Sequence, residues 1–226
     1  MKLTHIETST LKFLKDIKKN NNRDWFAKNK PRYQEELAKV KLFTNTFLDE
    51  MNKIDEIEAS KVYRIYRDAR FSKDKTPYKT NFAGGFTRAT ARRRGGYFFH
   101  IEPNNSFLAG GFWAPNPADL KRIRQEIEMD DQPLRKILKA ATFKKNFGEL
   151  QGSKVLTAPR GFAKDHPAID LLRFKQYVVY RQFTDKEITD PKFLKEGVKT
   201  FKAVRPFFDF MSEVLTTDLN GVSVLD

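Results

Sequence analysis

The sequence contains no cysteine among its 226 residues. Disulfide bonds, thiolate nucleophiles and thiolate metal ligands are therefore excluded, so a metal site would need oxygen or histidine ligands. The three histidines are scattered and show no metal-ligand spacing. We predict no metal site, and the sequence leaves any cofactor unknown.

Long hydrophobic runs are absent as well. Nowhere do about 18 apolar residues follow one another, as a membrane-spanning helix would need. The first residues, MKLTHIETSTLKFLKDIKK, contain no apolar signal-peptide core and no small-residue cleavage site. We therefore expect no membrane insertion and predict a cytoplasmic protein, while the oligomeric state stays unknown.

Acidic residues are too few to balance the basic ones. The chain has 29 Asp and Glu against 43 Lys and Arg, a formal net charge of +14. Such a surplus predicts attraction to polyanions such as nucleic acid or nucleotides, and it concerns partners, not fold. Hydrophobic residues still make up 39% of the chain, including 21 Phe, which is enough for a packed core. The length suits one domain, which we place over residues 1–226.

Apolar spacing predicts helices at both ends of the chain and strands between them. A long helix is expected from about Pro31 to Met51, because apolar residues recur there at helical spacing. Between Val62 and Trp113, aromatic residues, glycine pairs and short alternating runs indicate an antiparallel sheet. Helical patterns return after Pro115. The predicted fold class is α+β, a single domain whose central, mainly antiparallel sheet is bracketed by N-terminal and C-terminal helices.

Two further strands are expected late in the chain, at residues 155–158 and 176–183. The last helix is expected to break or kink at Pro206. A short repeated motif, FAGGF at 82–86 and LAGGF at 108–112, places glycine pairs inside strands. Such pairs mark bulges or positions where another backbone or a ligand comes close.

The clearest strand covers residues 97–102, where Tyr97 and Phe99 share one face and Phe98 and His100 share the other. The run RGGYFFHI invites comparison with the strand that stacks bases in RNA-recognition modules, but the other strands of that pattern are missing. Core packing is the favoured role of Tyr97 and Phe98. Base stacking is the alternative if either ring faces outward.

Basic residues are concentrated in the segment 61–79, KVYRIYRDARFSKDKTPYK. The longer window 61–94 holds eleven basic residues against two aspartates. If the chain is extended here, Arg64 and Arg70 share one face and Arg67 lies on the other, apolar one. If it is helical, the three arginines align at a spacing of three. Either geometry gathers them, and we expect an anion near this segment.

Phosphate suits such a cluster, because its oxygens match the paired donors of arginine. We therefore predict a pocket for a phosphate-bearing ligand. Its anion-binding side chains are Arg64, Arg67, Arg70, Lys75, Tyr78 and Lys79. Asp68 would orient the arginines, and it is a candidate catalytic residue if the protein is an enzyme. Hydrolysis or transfer at phosphate is then the default reaction, although no metal-binding carboxylate cluster accompanies the arginines.

A second basic cluster follows later in the chain and comprises Arg160, Lys164, Arg173 and Lys175. Asp165 next to His166 resembles a base with its orienting carboxylate, so His166 is our first candidate for a general acid or base. The favoured alternative is an ordinary helix start, in which Asp165, His166 and Pro167 cap a short helix.

The run Arg64-Ile-Tyr-Arg67-Asp68-Ala-Arg70-Phe71, followed by Lys75 and Tyr78, resembles the defining motif of an uncharacterised, mainly bacterial family, domain of unknown function 2461. Other stretches similar to that family are NNNRDWF (20–26), GGYFFHIEP (95–103), LAGGFW (108–113), and PRGF and DHP between residues 159 and 167. The resemblance covers nearly the whole chain. It implies that these residues matter, and it implies no activity, substrate or partner.

Two other functions are compatible with the sequence. The first is a nucleic-acid-binding module without catalysis, using the basic surface and Arg92 to Arg94, whose binding should weaken steeply with salt. The second is a structural or protein-interaction domain in which the arginines form an internal ion-pair lattice with Asp68 and Asp74. Two acids cannot neutralise the bases of this segment, so that lattice would need carboxylates from elsewhere.

Overall fold

The computed structural model describes residues 2–225. Within them, one five-stranded antiparallel sheet contains its strands in sequence order. These strands are β1 (Ile57–Val62), β2 (Phe82–Arg88), β3 (Gly96–Ile101), β4 (Ser106–Phe112) and β5 (Tyr177–Phe183). The α+β fold predicted from the sequence is confirmed.

Helices precede, interrupt and follow the sheet. Before β1 the chain forms α1 (Thr8–Lys19), α2 (Arg23–Lys28) and α3 (Lys30–Met51). Between β4 and β5 it forms α4 (Pro117–Met129), α5 (Gln132–Lys139), α6 (Ala141–Phe147) and α7 (Ile169–Leu172). After β5 come α8 (Asp185–Ile188) and α9 (Phe193–Thr216).

Residue contacts divide the chain into two compact units. Unit 1 comprises Met1–Phe86, Phe98–Leu108 and Gln182–Lys199. Unit 2 comprises Thr87–Tyr97, Ala109–Arg181 and Thr200–Asp226. The placement of one domain over residues 1–226 stays a prediction. The arginine-rich segment 61–79 lies wholly in unit 1.

The core of unit 1 is built from aromatic residues of α1, α3 and the strands. Phe43 and Phe47, one turn apart in α3, are fully buried, and the centroids of the Phe47 and Phe86 rings lie 5.2 Å apart. Pro31 lies in the first turn of α3, where its missing N–H costs no helical hydrogen bond. The predicted helix from about Pro31 to Met51 is therefore confirmed.

Alternation along β3 follows the predicted pattern. Tyr97 and Phe99 are buried, whereas Phe98, on the opposite face, is half-buried. The first glycine pair, in β2, is explained by a close contact at Gly84. A Cβ at this position would lie 2.4 Å from the Lys61 carbonyl oxygen and 2.5 Å from the Phe99 ring. This pair therefore permits the close approach of another backbone, which was one of its two expected roles.

One detail of the sequence-based prediction is wrong, although the strand predicted at 176–183 is confirmed as β5. Residues 155–158 form no strand, because pairing stops at isolated bridges just before them, and Leu156 is 92% exposed. Of the two outcomes expected at Pro206, a break is excluded because α9 continues through the proline, and a kink stays a prediction. Val204 and Phe208, on either side of the proline, are fully buried and hold this part of the helix in place.

Candidate anion-binding site

The arginine-rich segment forms a hairpin that continues from β1 and returns into β2. An antiparallel bridge between Tyr66 and Tyr78 joins its two sides. The supporting N–H to C=O hydrogen bonds run from Tyr63 to Ala83 (2.8 Å), from Arg67 to Pro77 (2.9 Å) and from Lys79 to Ile65 (2.7 Å). We name residues 63–83 the arginine hairpin and residues 68–76 its tip. The extended geometry considered from the sequence therefore applies as far as Arg67.

Tyr78 anchors the hairpin to α2. Its ring is buried and stacks on Phe26, with ring centroids 3.9 Å apart and planes inclined by 15°. The Asn21 side chain donates to the Tyr78 carbonyl at 2.9 Å and accepts from the Tyr78 N–H at 3.1 Å. Burial raises the pKa of the Tyr78 hydroxyl. Tyr78, which was predicted as an anion-binding residue, thus fixes the position of the hairpin on α2.

Arg67 makes its hydrogen bonds within the tip. Its guanidinium donates to the carboxylate of Asp74 and the hydroxyl of Thr76, and it lies 3.4 Å from the hydroxyl of Ser72. The Thr76 N–H and the Arg67 guanidinium together lower the pKa of Asp74 to about 2. Arg67 therefore matches the internal ion pair that the sequence allowed as an alternative, and it closes the tip.

Arg70 and Lys75 are also bonded within the tip, but at its surface. Nε and Nη2 of Arg70 donate to the two carboxylate oxygens of Asp68 at 2.9 and 2.7 Å, and this pairing lowers the pKa of Asp68. Nζ of Lys75 donates to the carbonyl oxygens of Ala69 and Arg70 at 3.0 and 3.3 Å. Both cations are exposed, so their charges act on any anion that approaches the tip.

Arg64 differs from the other arginines of the hairpin. Its side chain is exposed and makes no hydrogen bond or salt bridge with any of residues 2–225. It lines an open hollow of about 440 Å³, which we name the arginine hollow. The lining residues are Arg23, Arg64, Arg67, Asp68, Ala69, Arg70, Lys75 and Pro77. Five cationic side chains and one carboxylate therefore surround this space.

Arg23, the first residue of α2, was missed by the sequence-based prediction of the site. It is exposed, and within the described part of the chain its side chain has no hydrogen-bond or salt-bridge partner. The sequence placed it about forty positions before the hairpin, and only the NNNRDWF stretch of the family resemblance contained it. The stack of Phe26 on Tyr78 is what brings α2 and the hairpin together.

A second hollow, of about 410 Å³, shares Arg67 with the first. Tyr78 and Lys79 line it, together with Lys18, Asn21, Asp74, Thr76, Thr80 and Asn81. The predicted anion-binding residues therefore all lie on one hairpin but are divided between two hollows. Arg64, Arg70 and Lys75 belong to the first hollow alone.

The second basic cluster lies in unit 2. His166 accepts a hydrogen bond at Nδ1 from the Ala168 N–H at 3.0 Å, immediately before α7. This bond is local, because the N-cap of α7 is Ala168 and no side chain of the described residues caps that helix, so the capping and the acid–base interpretations of His166 both stay predictions. Nε of Arg173 donates to the Val155 carbonyl at 2.8 Å. The remaining members of the cluster, Arg160, Lys164 and Lys175, are exposed.

The three consecutive arginines considered for nucleic-acid binding are also in unit 2. The Arg94 guanidinium pairs with the carboxylate of Asp119, and the backbone N–H of Arg94 donates to the Ser212 hydroxyl at 2.9 Å. Arg92 is exposed, and its side chain has no hydrogen bond or salt bridge to the residues that the structure describes. One arginine of this run is therefore structural, and another projects into solvent.

The family model for a conserved hypothetical protein, DUF2461, matches residues 9–210. The chain belongs to this family. The DUF2461 match includes α2 and the whole arginine hairpin, so it contains every residue that lines the arginine hollow. No curated protein and no solved structure matches the chain.

Two further observations concern membranes and metals in this DUF2461 member. Among the helices of residues 2–225, none combines the length and apolar character needed to cross a bilayer. The same residues contain no group of three or more His, Cys, Asp or Glu side chains that could hold a metal ion.

Proposed function

We propose that the arginine hollow binds a phosphate-bearing ligand. Arg64 carries this proposal, because it is an exposed guanidinium that shares a hollow with four other cations and has no hydrogen-bond or salt-bridge partner among residues 2–225. Guanidinium groups pair with phosphate through two parallel N–H···O bonds, and such charge-assisted bonds are about twice as strong as neutral ones. Arg64 has all of its donors available for such a bond.

Arg23 supports the same proposal from a second element. It lines the arginine hollow from α2, and its guanidinium has no bonded partner in the described chain. A phosphate group between Arg23 and Arg64 would receive donors from both the helix and the hairpin. Arg70 and Lys75 would add charge, while Arg67 keeps the wall of the hollow in place through its bonds within the tip.

Binding, rather than catalysis, is the function that we propose for this site. Arg70 lowers the pKa of Asp68, whereas a general base works best when its pKa is close to the working pH. His166 belongs to unit 2, and its Nδ1 already accepts a backbone hydrogen bond. Hydrolysis or transfer at phosphate would therefore need a base other than these two. The proposed location is the cytoplasm, where phosphate esters are abundant.

Calorimetric titration with pyrophosphate tests the proposal. We expect pyrophosphate to bind the full chain and to raise its melting temperature by mass action. Arg64→Ala should weaken binding about 10- to 100-fold, the usual range for loss of a charged hydrogen-bond donor, without changing the melting temperature of the free protein.

Arg92→Ala is the matched control, because Arg92 is equally exposed and unbonded but lies outside the arginine hollow. It should leave pyrophosphate affinity within about twofold of the original, since it removes only a solvent-screened charge that does not line the arginine hollow. Equal losses in the two variants would point to non-specific attraction and would contradict a site at Arg64.

A further inference from the structure

A row of half-exposed aromatic side chains crosses several strands of unit 1. The ring centroids of Tyr63 and Phe98 lie 6.3 Å apart, and those of Phe98 and Phe107 lie 5.9 Å apart. The His100 imidazole stacks on Phe107 at 4.7 Å with planes inclined by 8°. Tyr63 is 38% exposed, and the other three side chains are half-buried. We name these residues the aromatic row.

The sequence of the strands explains why this row exists. Phe98 and His100 occupy the face of β3 opposite to the buried Phe99. Tyr63 is paired through its backbone with Ala83 of β2, the strand between the hairpin and β3. Because Ala83 is small, the Tyr63 ring can reach across β2 to Phe98. Aromatic π-faces are thus held on a regular, rigid surface.

One end of the row, Tyr63, belongs to the arginine hairpin, and the other end is linked to the hairpin by hydrogen bonds through Glu102. Tyr63 directly precedes Arg64, which lines the arginine hollow. At the other end, Nε2 of His100 lies 3.2 Å from the Glu102 carboxylate, which accepts a hydrogen bond from the Thr80 hydroxyl at 2.7 Å. Thr80 lines the second hollow. The aromatic row is therefore connected to the arginine hairpin at both ends within unit 1.

We propose that the aromatic row stacks the bases of single-stranded nucleic acid whose backbone phosphates lie in the arginine hollow. This inference rests on the proposed function and names its ligand class. Stacking on aromatic rings is tolerant of base identity, and a basic groove that follows the phosphates accompanies it in proteins that bind single strands. A duplex fits less well, because its bases already stack on one another and their faces are inaccessible.

Fluorescence anisotropy with a labelled twelve-nucleotide oligothymidylate tests this proposal on the full chain. Tyr63→Leu retains an apolar side chain but removes the π-face, so it should weaken oligothymidylate binding about 5- to 20-fold. It should leave pyrophosphate affinity unchanged, because Arg64 is untouched. Tyr63→Phe keeps the ring and should bind like the original protein, which separates stacking from any general effect of replacing Tyr63.

Phe71→Leu is the control for exposed aromatic residues. Phe71 lies in the basic tip and is 96% exposed, but its contact is with Arg70, whose guanidinium carbon is 5.9 Å from the ring centroid. We expect Phe71→Leu to leave oligothymidylate affinity unchanged. Loss of affinity in Phe71→Leu without loss in Tyr63→Leu would overturn the aromatic row as the stacking surface.

The same measurements separate this inference from the proposal on which it rests. If pyrophosphate binds through Arg64 but oligothymidylate does not bind, or binds equally well to Tyr63→Leu, the aromatic row is not a nucleic-acid platform and the arginine hollow stands. If pyrophosphate does not bind and Arg64→Ala leaves oligothymidylate affinity unchanged, the arginine hollow itself is not the phosphate site. Tighter binding of duplex than of single strand would also contradict the inference.

Discussion

Arg70 binds both carboxylate oxygens of Asp68 through Nε and Nη2, at 2.9 and 2.7 Å, across a single intervening residue. Among the described residues that line the arginine hollow, Asp68 has the only carboxylate, and this local pairing uses it. Arg64 and Arg23, which line the same space, are left without a bonded acid in the described chain. Competition between Asp68 and a ligand for the same cations can therefore be measured directly.

Asp68→Asn should strengthen pyrophosphate binding. The change removes the negative charge next to Arg70 and leaves a side chain of almost the same size. Exposed charges a few ångströms apart interact weakly in water, so we expect binding to tighten by roughly a few-fold at low salt and by less at high salt. Calorimetry at two salt concentrations measures this change. Weaker binding in Asp68→Asn would mean that the carboxylate is needed to orient Arg70 for the ligand.

The Asp74 carboxylate should titrate far below the ordinary range. Its pKa is lowered from 3.8 to about 2 by hydrogen bonds from the Thr76 backbone and from Arg67. Because the pKa is lower in the folded protein, the stability that this carboxylate contributes is complete above about pH 4 and is lost as the pH falls towards 2. Carboxyl NMR titration measures the pKa directly.

Two arginine variants distinguish the causes of this pKa shift. Arg67→Ala should raise the pKa of Asp74 only part of the way to its ordinary value, since the Thr76 N–H bond remains. Arg70→Ala should leave the pKa of Asp74 unchanged, because the Arg70 guanidinium is bonded to Asp68 instead. An Asp74 pKa near 4 in the original protein would contradict the hydrogen bonds that close the tip.

Asn21→Ala should loosen the whole hairpin. The Asn21 side chain satisfies both the N–H and the C=O of Tyr78, so its removal leaves two partly buried backbone groups without partners. The expected cost is about 1–3 kcal/mol in the free energy of unfolding, measured by urea denaturation. Asn20→Ala is the comparison, because that side chain bonds only to the Asp16 carbonyl of its own helix, and we expect a smaller loss.

Gly84→Ala should destabilise the sheet of unit 1. The added methyl group would lie 2.4 Å from the Lys61 carbonyl oxygen, which belongs to the backbone of β1 and cannot move aside without shifting that strand. Overpacking of this kind costs about 1–3 kcal/mol in the free energy of unfolding. Thr87→Ala, at an exposed position of the same strand, should change it by less than about 0.5 kcal/mol. Similar losses in both variants would show that the close contact at Gly84 is not the cause.

The sheet and the main helices were predictable because their signals are local. Apolar spacing gave the long helix before the sheet, and alternation along β3 placed Phe98 opposite to Phe99. In segment 61–79, the alternation of an extended chain would also place Phe71 on the same face as Ile65, and this is wrong. Ile65 is 1% exposed and Phe71 is 96% exposed, because the ladder of the hairpin ends at Arg67 and the chain then turns.

The composition of the arginine hollow was only partly predictable. Arg64, Arg67, Arg70 and Lys75 are close in sequence, so a short hairpin was enough to gather them. Arg23 joins them through long-range contacts of α2 with the hairpin, such as the stack of Phe26 on Tyr78, which one sequence does not reveal. The pairing of each arginine with a particular aspartate was also not predictable, because it depends on how the tip folds.

The hydrogen bond from Arg67 to Pro77 closes the hairpin before the tip begins, and Arg67 then crosses the tip to Asp74 and Thr76. Because Arg67 bonds to Asp74 and Thr76, the shape of residues 68–76 is fixed by side chains at the base and within the tip itself. Substitutions in this segment that spare Asp74 and Thr76 should therefore change the charge beside Arg64 while the strands below keep their register.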